Sequence, residues 1–245
     1  ILPYCEDVQK NADYEKSGFL QEFYGKINNK HQLSIKVWGI HSSRKLPQLM
    51  SYEGSQRKEF QEDDELRAIA DWTYYQGNSK WNIFSAYNYH QMHYFRSSTE
   101  AEFQNFNSLS NEQSSANRLE YQYKRKEKWH LRSSIDINYH QVDIYDQALK
   151  SGYQEERVEF SFLAQSNYRL TDRWSSYLLW RSEYYDNTFI PMIPSFGLEY
   201  LLSRNPRISL LTNATRNYHK PGLNDLYWIP GGNPNLKAED GYSLD

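Results

Sequence analysis

Few residues in this 245-residue chain have the type and spacing for bond-making chemistry. The nearest metal-ligand spacing is His90-x-x-His93. On a strand, residues three apart point to opposite faces, so this pair cannot share an ion unless the strand bulges. His140 falls on a polar row with Arg132 and Asp136, which reads as a hydrated surface rather than a ligand set. The carboxylate pairs Asp63-Asp64 and Glu155-Glu156 sit in or beside loops, where charge is solvated. There is no GxSxG, no HExxH and no glycine-rich phosphate loop. An enzyme is therefore not expected, nor a metal or cofactor. What remains is recognition chemistry. Tyr218, His219, Tyr227 and Trp228 combine aromatic area with polar handles and are the first candidates for a ligand contact.

The elements that must carry them follow a period of two. Trp129, Leu131, Ser133, Ile135, Ile137 and Tyr139 alternate with His130, Arg132, Ser134, Asp136, Asn138 and His140. Val158, Phe160, Phe162 and Ala164 alternate with Glu159, Ser161 and Gln165, and Ile208, Leu210, Thr212 and Ala214 with Arg207, Ser209 and Asn213. A helix would space apolar residues three and four apart. The pattern predicts an all-β antiparallel meander of about ten long strands. Their ranges are 15–27, 31–42, 64–76, 81–95, 116–125, 129–143, 155–169, 174–186, 194–203 and 207–216, with an eleventh beginning at Gly241. The apolar rows are expected to face outward and the polar rows inward.

The connections alternate in length. Asn28-Asn29-Lys30, Gly77-Asn78-Ser79-Lys80, 125–128, Thr171-Asp172-Arg173 and Arg204-Asn205-Pro206 are short. The stretches 44–63, 97–115, 144–154, 187–193 and 217–240 are longer and polar. Short turns at one end and long loops at the other are the layout of outer-membrane barrels, with the long loops outside the cell. Of 40 aromatic residues 22 are Tyr, and many stand near strand ends, among them Tyr74, Trp81, Trp129 and Trp174. Such amphipathic rings suit the two membrane–water interfaces.

Composition removes several alternatives. The net charge of −3 gives no electrostatic case for nucleic acid. No apolar run reaches 18 residues, which excludes helical spans but not barrel strands. The single Cys5 cannot form an internal disulfide. Both ends read as cut, so the sequence is expected to be a piece of a longer protein.

The most specific stretch is 216–245, in which Pro221-Gly222 and Pro230-Gly231-Gly232-Asn233-Pro234 are turn chemistry around the apolar Leu223, Leu226, Tyr227 and Trp228. A loop that folds back on its own sheet follows from this alone. The stretch resembles the late-barrel signature of TonB-dependent outer-membrane receptors. The matching residues are Arg216, Pro221, Asn224, Asp225, Leu226, Tyr227, Gly232, Asn233, Pro234, Leu236 and Glu239. Its version with Trp228 and two glycines is most similar to the vitamin B12 and siderophore receptor branch. Ala238 stands where Pro is usual, and the step from Arg216 to Pro221 is stretched.

The resemblance implies a barrel of about 22 strands, a plug domain and a TonB box ahead of it, neither of them in this sequence. It also implies uptake of a scarce ligand such as a ferric siderophore, cobalamin or a glycan, driven through the TonB complex, in the outer membrane of a Gram-negative bacterium. The motif residues are expected to shape loop and barrel rather than touch ligand. A passive porin and a soluble aromatic-rich carbohydrate-binding β-protein are the competing readings. Half a barrel cannot close on itself, so an open sheet is expected, whose free edges invite self-association.

Overall fold

The structure, a computed structural model, describes residues 11–47, 57–98, 104–229 and 231–245. One eleven-stranded antiparallel sheet runs in strict chain order. Its strands are β1 (Tyr14–Lys26), β2 (His31–Lys45), β3 (Lys58–Gln76), β4 (Ser79–Ser97), β5 (Phe106–Arg125) and β6 (Trp129–Asp146). They continue as β7 (Ser151–Arg169), β8 (Trp174–Tyr185), β9 (Thr188–Arg204), β10 (Arg207–His219) and β11 (Glu239–Leu244). A five-residue helix, α1 (Leu223–Tyr227), lies between the last two. The sheet is open, with β1 and β11 as its edges.

Register keeps the two kinds of row apart. Ile135 stands opposite Leu119 and Phe162, and Ile137 opposite Phe160. Ile135 is 52% exposed, whereas Asp136, one residue on, is 8% exposed. The apolar rows are thus the open face of the sheet, and the polar rows are the covered one. On the polar face Arg118 pairs with Asp136, and Arg132 reaches Glu120 at 2.6 Å. Asn82 donates to Asp71 at 2.8 Å and to Thr73 at 3.0 Å. A one-residue slip would exchange these ladders for the apolar rows, so burial of charge fixes the register. Among the described residues only Ile144, Tyr185, Ile193 and Leu226 are buried apolar side chains. Among the described residues the sheet has no second layer, and its apolar face is left open.

The strands run further than the apolar pattern predicts. β3 begins at Lys58 rather than 64, β5 at Phe106 rather than 116, β7 at Ser151 rather than 155 and β9 at Thr188 rather than 194. The polar stretch 106–115 is therefore ladder, not loop. Its side chains pair across the strands, as Gln91 with Asn111 at 2.7 Å. The supposed loop 144–154 shrinks to residues 147–150, held by the Asp146 carboxylate on the amides of Ala148 and Leu149 at 2.9 Å. The supposed loop 187–193 becomes a two-residue turn, Asp186-Asn187, both at positive φ as a tight hairpin requires. Long connections remain at 46–57, 98–105 and 220–238. Cys5, Pro230, and the parts of 44–63 and 97–115 at 48–56 and 99–103 lie outside the described residues.

Candidate functional site

The site is built where the segment after β10 turns back over the polar face of β7 and β8. Pro221 and Gly222 end the strand. Asp225 then accepts from the Gly222 amide at 2.9 Å and closes the first turn of α1. Leu226, 7% exposed, is the apolar anchor of the turn. The Trp228 amide donates to the Asn224 carbonyl at 3.0 Å, and the Asn233 amide to that of Asp225 at 2.9 Å. Gly232 must be glycine at this closure: a Cβ there would meet the Trp228 nitrogen at 2.6 Å and its oxygen at 2.7 Å. Asn233 then accepts from the Asn235 amide through its side chain and from the Leu236 amide through its carbonyl, both at 3.0 Å.

Three side chains on the polar face of β7 tether this segment. Arg157, 4% exposed, donates from Nη1 to the Pro221 carbonyl at 2.9 Å and from Nε to Asp186 at 2.8 Å. Its guanidinium lies 5.7 Å from the Tyr185 ring centroid. Glu159 receives Lys220 at 2.7 Å, with His140 at 4.0 Å on the same oxygen. The Tyr153 hydroxyl donates to the Asn224 side-chain oxygen. Burial first, then Glu112 and Glu155, push that hydroxyl up to about 12, so it remains a donor at any physiological pH. Tyr153 stands at the loop end of its strand, beyond the apolar row that begins at Val158.

A second tether holds the strands flanking the loop. Arg216 makes a two-pronged pair with Asp240, at 2.9 and 2.7 Å, and donates to the Met192 carbonyl at 2.6 Å. One guanidinium thereby links β9, β10 and β11. Arg181 pairs with Glu183 at 3.1 Å and reaches the Tyr218 carbonyl at 3.4 Å. Between the segment and the sheet lies an open recess of about 580 Å³, lined by His140, Val142, Glu159, Arg181, Glu183 and His219 among others. Its walls carry both signs of charge within a few ångströms, which suits a polar or charged guest and offers no nucleophile–base pair.

The four candidate contacts fall unequally around this recess. Tyr218 hydrogen-bonds Tyr185 through its hydroxyl. Tyr227 packs near Tyr153, ring centroids 6.1 Å apart. His219, opposite Glu239 in the ladder, and Trp228 stay exposed. Pro234 lies in the turn before Leu236, which is exposed, and Glu239 opens β11. Residue-type reasoning missed Arg157, Glu159, Tyr153, Arg181 and Tyr185. Their one local signal is a run of polar side chains on alternate positions of β7 and β8, and nothing in it points 60 residues ahead. Elsewhere, His90 and His93 take different partners, Asp63 at 3.2 Å and Asn107 at 2.8 Å.

Residues 9–245 match the model of the family described as TonB dependent receptor-like, beta-barrel. The chain belongs to that family. TonB-dependent receptors are outer-membrane transport proteins rather than enzymes, and the match sets aside the plain porin and the soluble carbohydrate binder. No curated protein matches the chain at the sequence level. Solved structures agree on the fold. The siderophore receptor PiuA from Acinetobacter baumannii superposes with a TM-score of 0.69 at 10% identity, over 96% of this chain and 47% of its own. The copper transporter OprC gives 0.68 at 10%, over 96% and 44%. The ferric yersiniabactin uptake receptor FyuA from Yersinia pestis gives 0.63 at 13%, over 94% and 42%. The chain spans under half the length of the structures it matches.

Proposed function

We propose that this chain forms about half the wall of an outer-membrane receptor that takes up a scarce ligand, such as a ferric siderophore or cobalamin. The apolar face meets lipid, the polar face lines the lumen, and the 217–240 segment lies on the extracellular side. A plug and TonB box ahead of this region would couple it to the TonB complex of a Gram-negative cell. The observation that carries the reading is the tethered segment. Arg157, Glu159 and Tyr153 hold it over the polar face, where it narrows the way in. The height of the apolar band supports a membrane span. From Trp174 to Tyr184 on β8 is ten residues, which at about 3.3 Å each and about 40° of tilt gives about 25 Å, the height of an outer-membrane apolar band.

Within this reading Tyr218, His219, Tyr227 and Trp228 are the ligand contacts, while Arg216, Pro221, Asn224, Asp225, Leu226, Gly232, Asn233, Pro234, Leu236 and Glu239 shape the segment. The likeness to the siderophore receptor PiuA and the ferric yersiniabactin uptake receptor FyuA favours a siderophore, and the copper transporter OprC has the same fold with another cargo. The test is growth of a strain lacking the whole gene on defined iron or cobalamin sources, complemented with the gene or with all four contact residues changed to Ala. Loss of growth on one source, unrestored by the quadruple variant, supports the assignment. Full restoration by that variant rules the four residues out.

A further inference from the structure

The short turns carry a repeat that uptake does not use. At four successive turn-to-strand junctions a cation is followed directly by an aromatic ring: Lys30-His31, Lys80-Trp81, Lys128-Trp129 and Arg173-Trp174. Each ring packs against an aromatic side chain of a paired strand, His31 stacked, Trp81 and Trp174 tilted, and Trp129 edge-on. His31 lies 4.6 Å from Tyr74, Trp81 4.6 Å from Tyr121, Trp129 5.7 Å from Tyr123, and Trp174 4.6 Å from Tyr200. These rings close the apolar rows, with Trp81 directly below Ile83, and Trp129 below Leu131. They mark the level at which the apolar band meets headgroups.

The charge beyond the rings is one-sided. Within two residues of the five short turns there are two cations at the first turn, one at the second, four at the third and two at each of the last two, against two carboxylates in all. Glu127 and Asp172 are those carboxylates, and each already holds an arginine, Arg169 and Arg204, at 3.3 Å. Arg207 is met by Glu199 at 3.4 Å. The other eight cations have no carboxylate partner among the described residues. The third turn concentrates them: Lys124, Arg125, Lys126 and Lys128 occupy four of five positions, all exposed. The turn is closed by the Lys128 amide on the Arg125 carbonyl at 3.2 Å, with Lys126 at positive φ. At the other rim, Arg157, Lys220 and Arg216 each have a carboxylate within 2.7 Å.

We propose that this rim is a binding surface for anionic phospholipid headgroups of the leaflet it meets, the rings seated at the interface and the lysines and arginines on the phosphates. Free cations spread along a row of paired aromatics suit a planar array of negative charge rather than a single small anion. Lys and Arg stems cover the intervening apolar surface while their heads reach the phosphates. The inference rests on the orientation given above, in which the short turns are periplasmic.

The test uses the full-length receptor in nanodiscs of phosphatidylethanolamine with a minor share of phosphatidylglycerol, and reads the lipids retained by native mass spectrometry. The wild type should retain phosphatidylglycerol several-fold above its bulk share. The variant K124Q/R125Q/K126Q/K128Q should lose that enrichment, while its heat-dependent gel mobility stays that of a folded barrel. Equal enrichment in variant and wild type overturns the proposal. So does enrichment abolished by soluble glycerol phosphate at millimolar concentration, which marks a site for a free anion. Maleimide labelling of a cysteine at Asn78 in intact cells checks orientation separately: exclusion of a membrane-impermeant reagent leaves the proposal standing, and labelling overturns the orientation on which it rests.

Discussion

At the loop end of the sheet, Arg157, Lys220 and Arg216 are each closed off by a carboxylate, the first two holding one segment in place and the third the strands that flank it. At the short-turn end, cations of the same kind stand free beside paired rings. The difference lies in whether side chains reach across strands or away from them. The buried Arg157 guanidinium is neutralised by Asp186 and donates from Nε and Nη1, so it acts as a fixed tie. An exposed lysine has no such constraint and remains available to a surface. One rim is therefore organised around its own chain, and the other around what surrounds the protein.

The sharpest way to break this contrast is Arg157→Ala. It leaves the Pro221 carbonyl and Asp186 without their donor; breaking a buried ion pair costs about 3–5 kcal/mol, and because Asp186 is half exposed the loss falls at the low end of that range. Hydrogen exchange on the full-length receptor should show the 217–238 segment losing protection, with the short turns unchanged. Loss spread evenly over both rims would erase the distinction. Next in size is Ile135→Arg on the apolar face. A mid-membrane arginine costs about 2–4 kcal/mol, and urea titration of the protein folding into vesicles should show it, whereas Asn138→Arg on the polar face should fold nearly as the wild type.

Gly232→Ala follows. A Cβ within 2.7 Å of backbone forces the turn open, and overpacking of this kind costs about 1–3 kcal/mol. The expected result is faster protease cleavage between 228 and 236 with the strands intact. Tyr153→Phe is the mildest, removing one hydrogen bond worth about 0.5–1.5 kcal/mol. It should raise exchange at 223–227 only slightly, and less than Arg157→Ala does.

Period two placed the rows of β6, β7 and β10 on their faces, because alternation decides both strand and face in a half-buried ladder. It placed the strand starts poorly. Residues 106–115 and 58–63 are polar apart from Phe106, Leu109 and Phe60, and such a stretch reads as loop even though its backbone pairs as well as any other. The Asp186-Asn187 turn has a legible signature in two residue types that tolerate positive φ, while Pro191 and Pro194 close behind it, which cannot donate to a ladder, blur the strand it opens. The fold-back of 217–240 was readable from its turn residues. Its seat was not. Arg157 lies 64 residues before Pro221, and a single arginine on a polar row carries no mark of the carbonyl it holds.

The central claim is that the apolar rows face lipid and the polar rows face an aqueous interior. The most direct test is a cysteine scan of positions 131 to 138 on β6 in the full-length receptor in vesicles, each spin-labelled and probed by oxygen and by a nickel chelate. Residues 131, 133, 135 and 137 should be accessible to oxygen and protected from the chelate, with the pattern reversed at 132, 134, 136 and 138. Accessibility without a period of two, or with the two sets exchanged, would contradict the account.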